Sequence, residues 1–199
     1  MKEIETIFFE LIRVAIGERE DLSRLPSEKE WKAILDMAKK QSLVGVCFAG
    51  LQRLGADADE GFAVIGMSEM LYLKWMGMAA QIQQRNELMD VYTAQALEYF
   101  RGKGFPCQVL KGQGVARLYG DIADFRQSGD VDVWLGCRRE ELYDFARKEY
   151  GRIEGLNYYH IHCPIMDDAE VEAHVWPSYL TNPFRNRRLQ GFFIEHQPT

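Results

Sequence analysis

Apolar residues recur at helical spacing throughout the N-terminal half of the chain. The segment IETIFFELIRVAI places them on one side of a helix. The stretch 27–54 opens with Ser27 and has Glu30 at the third position after it, the pattern of a capping box, and Gly45 is where this stretch can divide in two. Residues 68–101 keep the same spacing without a proline and predict one long helix. The pattern predicts an all-helical N-terminal region.

The pattern changes after residue 101, where glycines and Pro106 end the helical spacing. Short apolar runs that are typical of strands now alternate with helical ones. The predicted order is strand CQVL, helix GQGVARLYG, polar loop DIADFRQSG, strand DVDVWLG, helix RREELYDFARKEY and the strand pair LNYYHIHCPIM and AEVEAHVWP. This order predicts an α+β fold, an α/β sandwich whose small mixed sheet is flanked by helices. We assign residues 1–67 to the helical N-terminal region and residues 68–199 to the α/β core.

Composition narrows the class of protein. A charged fraction of 27% and a hydrophobic fraction of 47% are ordinary for globular proteins and argue against disorder. No apolar run approaches the roughly 18 residues of a membrane span, and acidic residues interrupt the apolar N-terminus, unlike in a signal peptide. We therefore expect a cytoplasmic protein without a membrane partner. The net charge of −6 provides no basic surface overall, so duplex DNA is not an expected partner.

The four cysteines form no C-x-x-C pair, which excludes a zinc knuckle and a dithiol redox motif. We expect them to be small buried side chains in a reducing compartment.

Two aspartates lie close together inside an apolar run. In RQSGDVDVWL, Asp130 and Asp132 alternate with valines, and in a strand they would share one face while the apolar residues take the other. This pattern predicts a half-buried strand. Two carboxylates side by side repel each other, and a divalent metal would neutralise them. The alternative is an acidic strand face exposed to solvent.

A glycine-containing turn follows the first predicted strand. The sequence VLKGQG delivers Lys111, Gly112 and Gly114 to the start of a predicted helix. Such a start favours anions because its amide groups and dipole point at the ligand. The alternative is a tight turn that needs glycine for conformational reasons alone.

Three motifs in order, VLKG, R-x-x-G-D-x-D at residues 126–132 and EVEAHVWP, resemble those of an uncharacterised bacterial nucleotidyltransferase family within the DNA polymerase β-like nucleotidyltransferase superfamily. The resemblance covers roughly residues 68–190 and depends on the order of the motifs. The sequence departs from the wider superfamily at Gln113, where that pattern has glycine or serine after the turn glycine. The separation from Gly112 to Asp130 is also longer than in the simplest members.

The resemblance implies a polymerase β-like core and a role for each matching residue. It makes Asp130 and Asp132 a metal-binding pair and Glu172 the third carboxylate, which completes the metal site and can act as a base. These three are the catalytic candidates. The nucleotide-binding candidates are the turn glycine Gly112, the phosphate contacts Lys111 and Arg126, and Gly129.

The implied activity is the Mg²⁺-dependent (or Mn²⁺-dependent) transfer of a nucleoside monophosphate from an NTP to an acceptor hydroxyl, with release of pyrophosphate. Magnesium prefers hard oxygen ligands, and two ions can stabilise both oxygens of an in-line displacement. The acceptor is open: a small molecule, a protein or an RNA end. Gln113 and the short C-terminus suggest the alternative, a non-catalytic nucleotide- or partner-binding module. Because such chains often continue further, we expect a truncated or naturally short version.

Histidines form a competing pattern on the last two predicted strands. His160 and His162 share one strand face, and the neighbouring strand offers Glu172 and His174. One hairpin register sets His162 opposite Glu172 and His160 opposite His174, whereas a shift of one residue puts Cys163 opposite Glu172 instead. The histidines can orient Glu172, contact substrate, form a zinc site or be structural.

Near the C-terminus, NPFRNRRLQGFF carries Arg185, Arg187 and Arg188. An arginine cluster can bind triphosphate or a nucleic-acid backbone, which makes Arg188 a candidate substrate contact. The alternative is a helix start whose basic residues face water.

Overall fold

A computed structural model describes residues 2–55, 61–151 and 159–199. The helices are α1 (Lys2–Ala15), α2 (Glu28–Lys40), α3 (Val44–Arg53), α4 (Gly61–Val64), α5 (Glu69–Gly102), α6 (Lys111–Ala116), α7 (Arg139–Tyr150) and α8 (Pro183–Glu195), with a 3-10 helix at Arg117–Phe125. The strands are β1 (Cys107–Val109), β2 (Val131–Leu135), β3 (His160–Cys163) and β4 (Val171–His174). The predicted mixed α+β fold with a helical N-terminal region is confirmed. Residues 156–158, the first three of the strand predicted at 156–166, lie outside the described residues.

Contacts divide the chain into two compact units. The helical unit comprises Met1–Glu87 with Ala116–Ser128, and the sheet unit comprises Leu88–Val115 with Gly129–Thr199. The assignment of residues 1–67 and 68–199 to separate regions stays a prediction.

Two tryptophans form the centre of the helical unit. Trp31 of α2 and Trp75 of α5 are fully buried and meet edge to face, with ring centroids 6.4 Å apart. Buried indole N–H groups need acceptors. Trp31 Nε1 donates to the carbonyl of Ile65 at 2.8 Å, and Trp75 Nε1 donates to that of Val44 at 3.0 Å. The centre of this core is therefore apolar, and the indole N–H groups of both tryptophans have hydrogen-bond acceptors.

The break predicted near Gly45 falls earlier in the chain. α2 ends at Lys40, Ser42 takes a positive φ of 56°, and α3 begins at Val44. Gly45 has a different role, because a Cβ there would lie 2.2 Å from the carbonyl oxygen of Phe125. The missing side chain lets the end of the 3-10 helix approach α3 closely.

The polar loop predicted over DIADFRQSG is wrong in its first half. The 3-10 helix runs to Phe125, and Ile122 on it is buried. Asn86 of α5 donates through Nδ2 to the carbonyls of Asp124 and Arg126, both at 2.7 Å. These contacts order a segment whose composition resembles a loop.

The four-stranded sheet has the order β1-β2-β4-β3. β2 runs parallel to β4 and antiparallel to β1, and β3 runs antiparallel to β4. The prediction that β2 is half buried is wrong, because all five of its residues are buried. On the face shared with Asp132, Trp134 packs edge to face on Phe193 of α8 at 5.7 Å and donates to the carbonyl of Val175. α8 therefore covers part of the face that the pattern left to solvent.

Cys47, Cys107 and Cys163 are buried, Cys137 is half-buried, and all four are free thiols. Among the described residues, no helix combines the length and the apolar character that crossing a lipid bilayer requires.

Candidate metal and nucleotide site

Two carboxylates face each other across the centre of the sheet. Asp132 on β2 and Glu172 on β4 are direct partners in the parallel register. Residues paired in this way project from the same face of the sheet. Their side chains are only 9% and 12% exposed, so the two charges share a site largely closed to water.

His174 joins the two carboxylates. Its Nε2 lies 2.8 Å from Oδ1 of Asp132 and 3.0 Å from Oε2 of Glu172. The ring is fully buried, and its Nδ1 has no hydrogen-bond partner among the described residues. Since both acceptors face Nε2, a neutral His174 holds its proton on that nitrogen.

Lys111 supplies a cation to the same site. Its Nζ lies 2.7 Å from Oδ1 of Asp132, while its side chain is 56% exposed. Lys111 lies in the turn that follows β1. Just before it, the N–H of Leu110 donates to the carbonyl of Asp132 on β2 at 2.8 Å, which holds the turn beside that strand. The ammonium group thus reaches the carboxylate from solvent.

The turn that carries Lys111 has unusual backbone geometry. Lys111 has a φ of 39°, which side-chain-bearing residues rarely adopt, and Gly112 has φ 25° and ψ −117°. A Cβ on Gly112 would lie 3.3 Å from the carbonyl oxygen of Asp130. Strained backbone of this kind clusters at functional sites. The short α6 is non-helical at Gly112, so the predicted start of a regular helix is absent there.

The environment moves the pKa values of the two acids apart. Burial raises the pKa of Asp132, but hydrogen bonds from His174 and Lys111 outweigh burial and lower that pKa to about 2. Burial also raises the pKa of Glu172; His174 opposes that effect, the charge on Asp132 adds to it, and the pKa lies above its ordinary value. Asp132 therefore stays negatively charged around neutral pH, whereas Glu172 takes up a proton more readily than Asp132 does.

Two further histidines approach Glu172 from β3. The observed register pairs His162 with Glu172 and His160 with His174, which is the first of the two predicted registers. His160 Nδ1 lies 3.2 Å from Oε2 of Glu172, and His162 Nε2 lies 3.7 Å from Oε1. Burial, together with the charges of the neighbouring histidines, lowers the pKa of His160 to about 4.

Ligand atoms converge in two groups that share Glu172. One group is Asp132, Glu172 and His174, the other is His160, His162 and Glu172, and within each group the ligand atoms lie within 4.8 Å of one another. The donor set of the first group fits a divalent metal ion, since two carboxylate oxygens are the hard ligands that Mg²⁺ and Mn²⁺ prefer. Asp132 and Glu172 are the residues that would hold it.

The remaining predicted site residues are not members of either ligand group found in the described part of the chain. Asp130 is exposed and precedes the first residue of β2, and Gly129 beside it is exposed as well. Among the residues that the structure describes, Asp130 belongs to neither of the two groups of metal-ligand atoms. Arg126 belongs to the helical unit, where Nη1 donates to Oγ of Ser128 at 3.5 Å. Arg188 is exposed on α8.

Glu170 contacts a histidine of the site but is not among the candidate residues predicted from the sequence. A carboxylate oxygen of Glu170, which precedes β4, lies in close contact with Nδ1 of His162. The alternation of EVE placed Glu170 on the same side as Glu172. Its pairing with His162 depends on the hairpin register, which the pattern did not decide.

A closed acidic pair beside an exposed lysine on a strained glycine turn is suited to group transfer from a polyanionic substrate. Comparison with family models agrees with this class. The chain belongs to a family described as uncharacterised nucleotidyltransferase, whose model matches residues 27–199. The predicted resemblance to an uncharacterised nucleotidyltransferase family is confirmed, and membership of that family makes the chain a transferase. Comparisons with curated proteins and with solved structures gave no match.

Proposed function

We propose that this protein transfers a nucleoside monophosphate from an NTP to an acceptor hydroxyl, with release of pyrophosphate, in a reaction that depends on Mg²⁺ or Mn²⁺. The observation that carries the proposal is the direct pairing of Asp132 with Glu172 across β2 and β4, within reach of Lys111. The family assignment supports the reaction class.

Each residue then has a definable part. Asp132 and Glu172 would hold the metal, which when bound supplies positive charge to the triphosphate oxygens. Asp130, one residue before β2, is proposed as a further ligand on the family resemblance. Lys111, whose side chain is half exposed, turns from Asp132 towards the phosphates, with Gly112 and Gly129 as further nucleotide contacts.

The proton balance assigns a role to Glu172. The acceptor oxygen attacks the α-phosphorus, a new P–O bond forms, and the bond to pyrophosphate breaks. The hydroxyl proton needs an acceptor, and Glu172 is proposed for that task because Oδ1 of Asp132 is already in contact with both Lys111 and His174. His174, whose Nε2 lies 3.0 Å from Oε2 of Glu172, holds the carboxylate of Glu172 in place.

The test is titration calorimetry of the protein with each of the four NTPs, with Mg²⁺ and then with EDTA, followed by an assay for pyrophosphate release. We expect Mg²⁺-dependent binding of at least one NTP. Asp132→Asn removes a ligand charge and should weaken this binding by at least about 100-fold. Asp144→Asn, which changes an exposed aspartate of α7, is the matched control and should leave binding unchanged. Binding that persists in EDTA and in Asp132→Asn would contradict the proposal.

A second candidate is a non-catalytic nucleotide-binding module. The observation in its favour is that Lys111 already neutralises the charge of Asp132, to which His174 also donates a hydrogen bond. This alternative predicts NTP binding that does not need metal and produces no pyrophosphate. The same experiment therefore separates the two functions.

A further inference from the structure

We propose a second metal site, for Zn²⁺ or a similar borderline-soft divalent ion, formed by His160, His162 and Glu172. Imidazole nitrogens suit zinc and its neighbours far better than magnesium, so this donor set selects a different ion from the carboxylate pair. Three protein ligands leave a fourth position open, as is common in zinc sites that bind a further group.

The separations between the ligand atoms support this assignment. His160 Nδ1 and His162 Nε2 lie 3.2 Å and 3.7 Å from the oxygens of Glu172. In a tetrahedral zinc site with bonds of about 2.0 Å, adjacent ligand atoms are about 3.3 Å apart. Each histidine nitrogen therefore lies near this distance from one oxygen of Glu172, Oε2 for His160 and Oε1 for His162, and one ligand atom from each of the three residues lies within 4.8 Å of the others.

Glu170 fixes the ring of His162 in the orientation that a metal requires. It lies within hydrogen-bonding distance of Nδ1, and a neutral histidine that donates from Nδ1 carries its lone pair on Nε2. That lone pair then faces the Glu172 carboxylate, an arrangement that is repulsive unless a metal ion or a proton lies between them. A carboxylate behind a ligating histidine is a common outer partner in zinc sites.

Because both sites use Glu172, an ion at the second site should affect metal binding at the first, an expectation that rests on the proposed function. Glu172 belongs to both ligand groups, and its carboxylate is needed by the proposed Mg²⁺ site. An ion held by His160 and His162 withdraws that carboxylate from Asp132. Zinc-type ions should therefore inhibit Mg²⁺-dependent NTP binding. His162, which is 32% exposed, leaves the ion a path from solvent.

The site itself is tested without nucleotide. Metal-free protein is titrated with Zn²⁺ by calorimetry and with Co²⁺ by visible absorption, which reports tetrahedral coordination. We expect one ion per chain, a loss of affinity of at least about tenfold in Glu170→Gln and a larger loss in His162→Ala. His196→Ala, which removes a histidine beyond the end of α8, is the control and should bind as the unaltered chain does. His162→Gln, closer in size, serves if His162→Ala does not fold.

The same titration on Asp132→Asn separates this proposal from the proposed function. Asp132 is not one of the three ligands, so the variant should still bind Zn²⁺ while it loses Mg²⁺-dependent NTP binding. Equal Zn²⁺ affinity in the unaltered chain and in His162→Gln would overturn the second site, as would no binding at all. Zn²⁺ binding that leaves the Mg²⁺-dependent NTP affinity of the unaltered chain unchanged would overturn the competition for Glu172. If no NTP binds, the proposed function fails and the Zn²⁺ result still decides the site.

Discussion

The ammonium nitrogen of Lys111 lies 2.7 Å from Oδ1 of Asp132, the carboxylate that we propose as a metal ligand. A metal ion at that oxygen would compete with the lysine for the same negative charge. Because the lysine side chain is half exposed, it can leave the carboxylate without being buried elsewhere. Lys111 is therefore placed to stabilise the metal-free site and to meet phosphates once a metal nucleotide arrives.

Lys111→Met tests this exchange because it removes the charge and keeps much of the side-chain volume. Without nucleotide, the variant should bind Mn²⁺ about fivefold more tightly, since the half-exposed lysine is screened by solvent and its charge contributes about 1 kcal/mol. Binding of the metal nucleotide should weaken by about tenfold, since a charged hydrogen bond to phosphate is lost. Calorimetry with Mn²⁺ alone and with Mn²⁺ and NTP measures both effects. Lys148→Met, at an exposed lysine of α7, is the control, and a parallel change in the two affinities of Lys111→Met would contradict the exchange.

The pH dependence of Mn²⁺ binding should report Glu172. Its raised pKa means that it takes up a proton at a higher pH than an ordinary glutamate, and only the deprotonated form binds a metal. Affinity should fall as the pH drops through the pKa of Glu172, by about tenfold per pH unit below it, and the fall should begin at a higher pH than an ordinary glutamate would give. Asp132, with its pKa of about 2, stays charged throughout.

Several groups besides Glu172 can influence this titration. Those that face it are Asp132 of β2, His160 and His162 of β3, His174 of β4 and Lys111 of the turn. Glu172→Gln is the decisive variant, because it removes the titrating group. It should bind Mn²⁺ more weakly at pH 7 and show little of the loss of affinity that the unaltered chain shows as the pH is lowered. An unchanged profile in Glu172→Gln would assign the titration to another group.

Local pattern was sufficient to predict the four strands and the acidic positions on two of them. Alternation placed Asp132 and Glu172 in strands, and the order of motifs indicated that they belong to one site. The sequence did not contain the pairing itself, because the parallel contact of β2 with β4 joins segments separated by α7 and β3. That contact, rather than the i and i+2 spacing of Asp130 and Asp132, is what brings two carboxylates together.

The other differences also come from tertiary contacts. The burial of β2 depends on Phe193 of α8 packing on Trp134, and strand periodicity does not report which face a distant helix covers. The hairpin register of His162 was open because a change of one residue replaces it with Cys163. The ion pair of Lys111 with Asp132 was not predicted either, because residues on separate elements come into contact only in the folded chain.

Gly112→Ala should show how strongly the turn depends on glycine. With φ 25° and ψ −117°, an alanine would be strained, and its Cβ would press on the carbonyl of Asp130. We expect a loss of about 1–3 kcal/mol in the free energy of unfolding, measured with urea, and weaker NTP binding. Gly102→Ala is the matched control at the end of α5, where a Cβ meets nothing within 4 Å, and it should be neutral or slightly stabilising. Equal stability of the two variants would contradict strain at this turn.

Glu30 provides a test of stability against pH in the helical unit. It accepts from the backbone N–H and the hydroxyl of Ser27, both at 2.8 Å, and pairs with Arg24. The hydrogen bond from Arg24 is the largest of the causes that lower the pKa of Glu30 to about 2 in the folded chain. Since the unfolded value is higher, the folded state favours the charged form, and the stabilisation is full above about pH 4.5 and lost as the pH falls towards 2.

Glu30→Gln separates this effect from other acids that titrate in the same range, because glutamine can still cap α2 but carries no charge. The unaltered chain should be the more stable of the two at pH 7, and the difference should shrink steadily between about pH 4.5 and pH 2. Urea denaturation at a series of pH values measures it. High salt at pH 7 should reduce the same difference, since the ion pair with Arg24 is exposed to solvent. A difference that stays constant with pH would mean that the charge of Glu30 does not contribute and that its hydrogen bonds to Ser27 alone hold the start of α2.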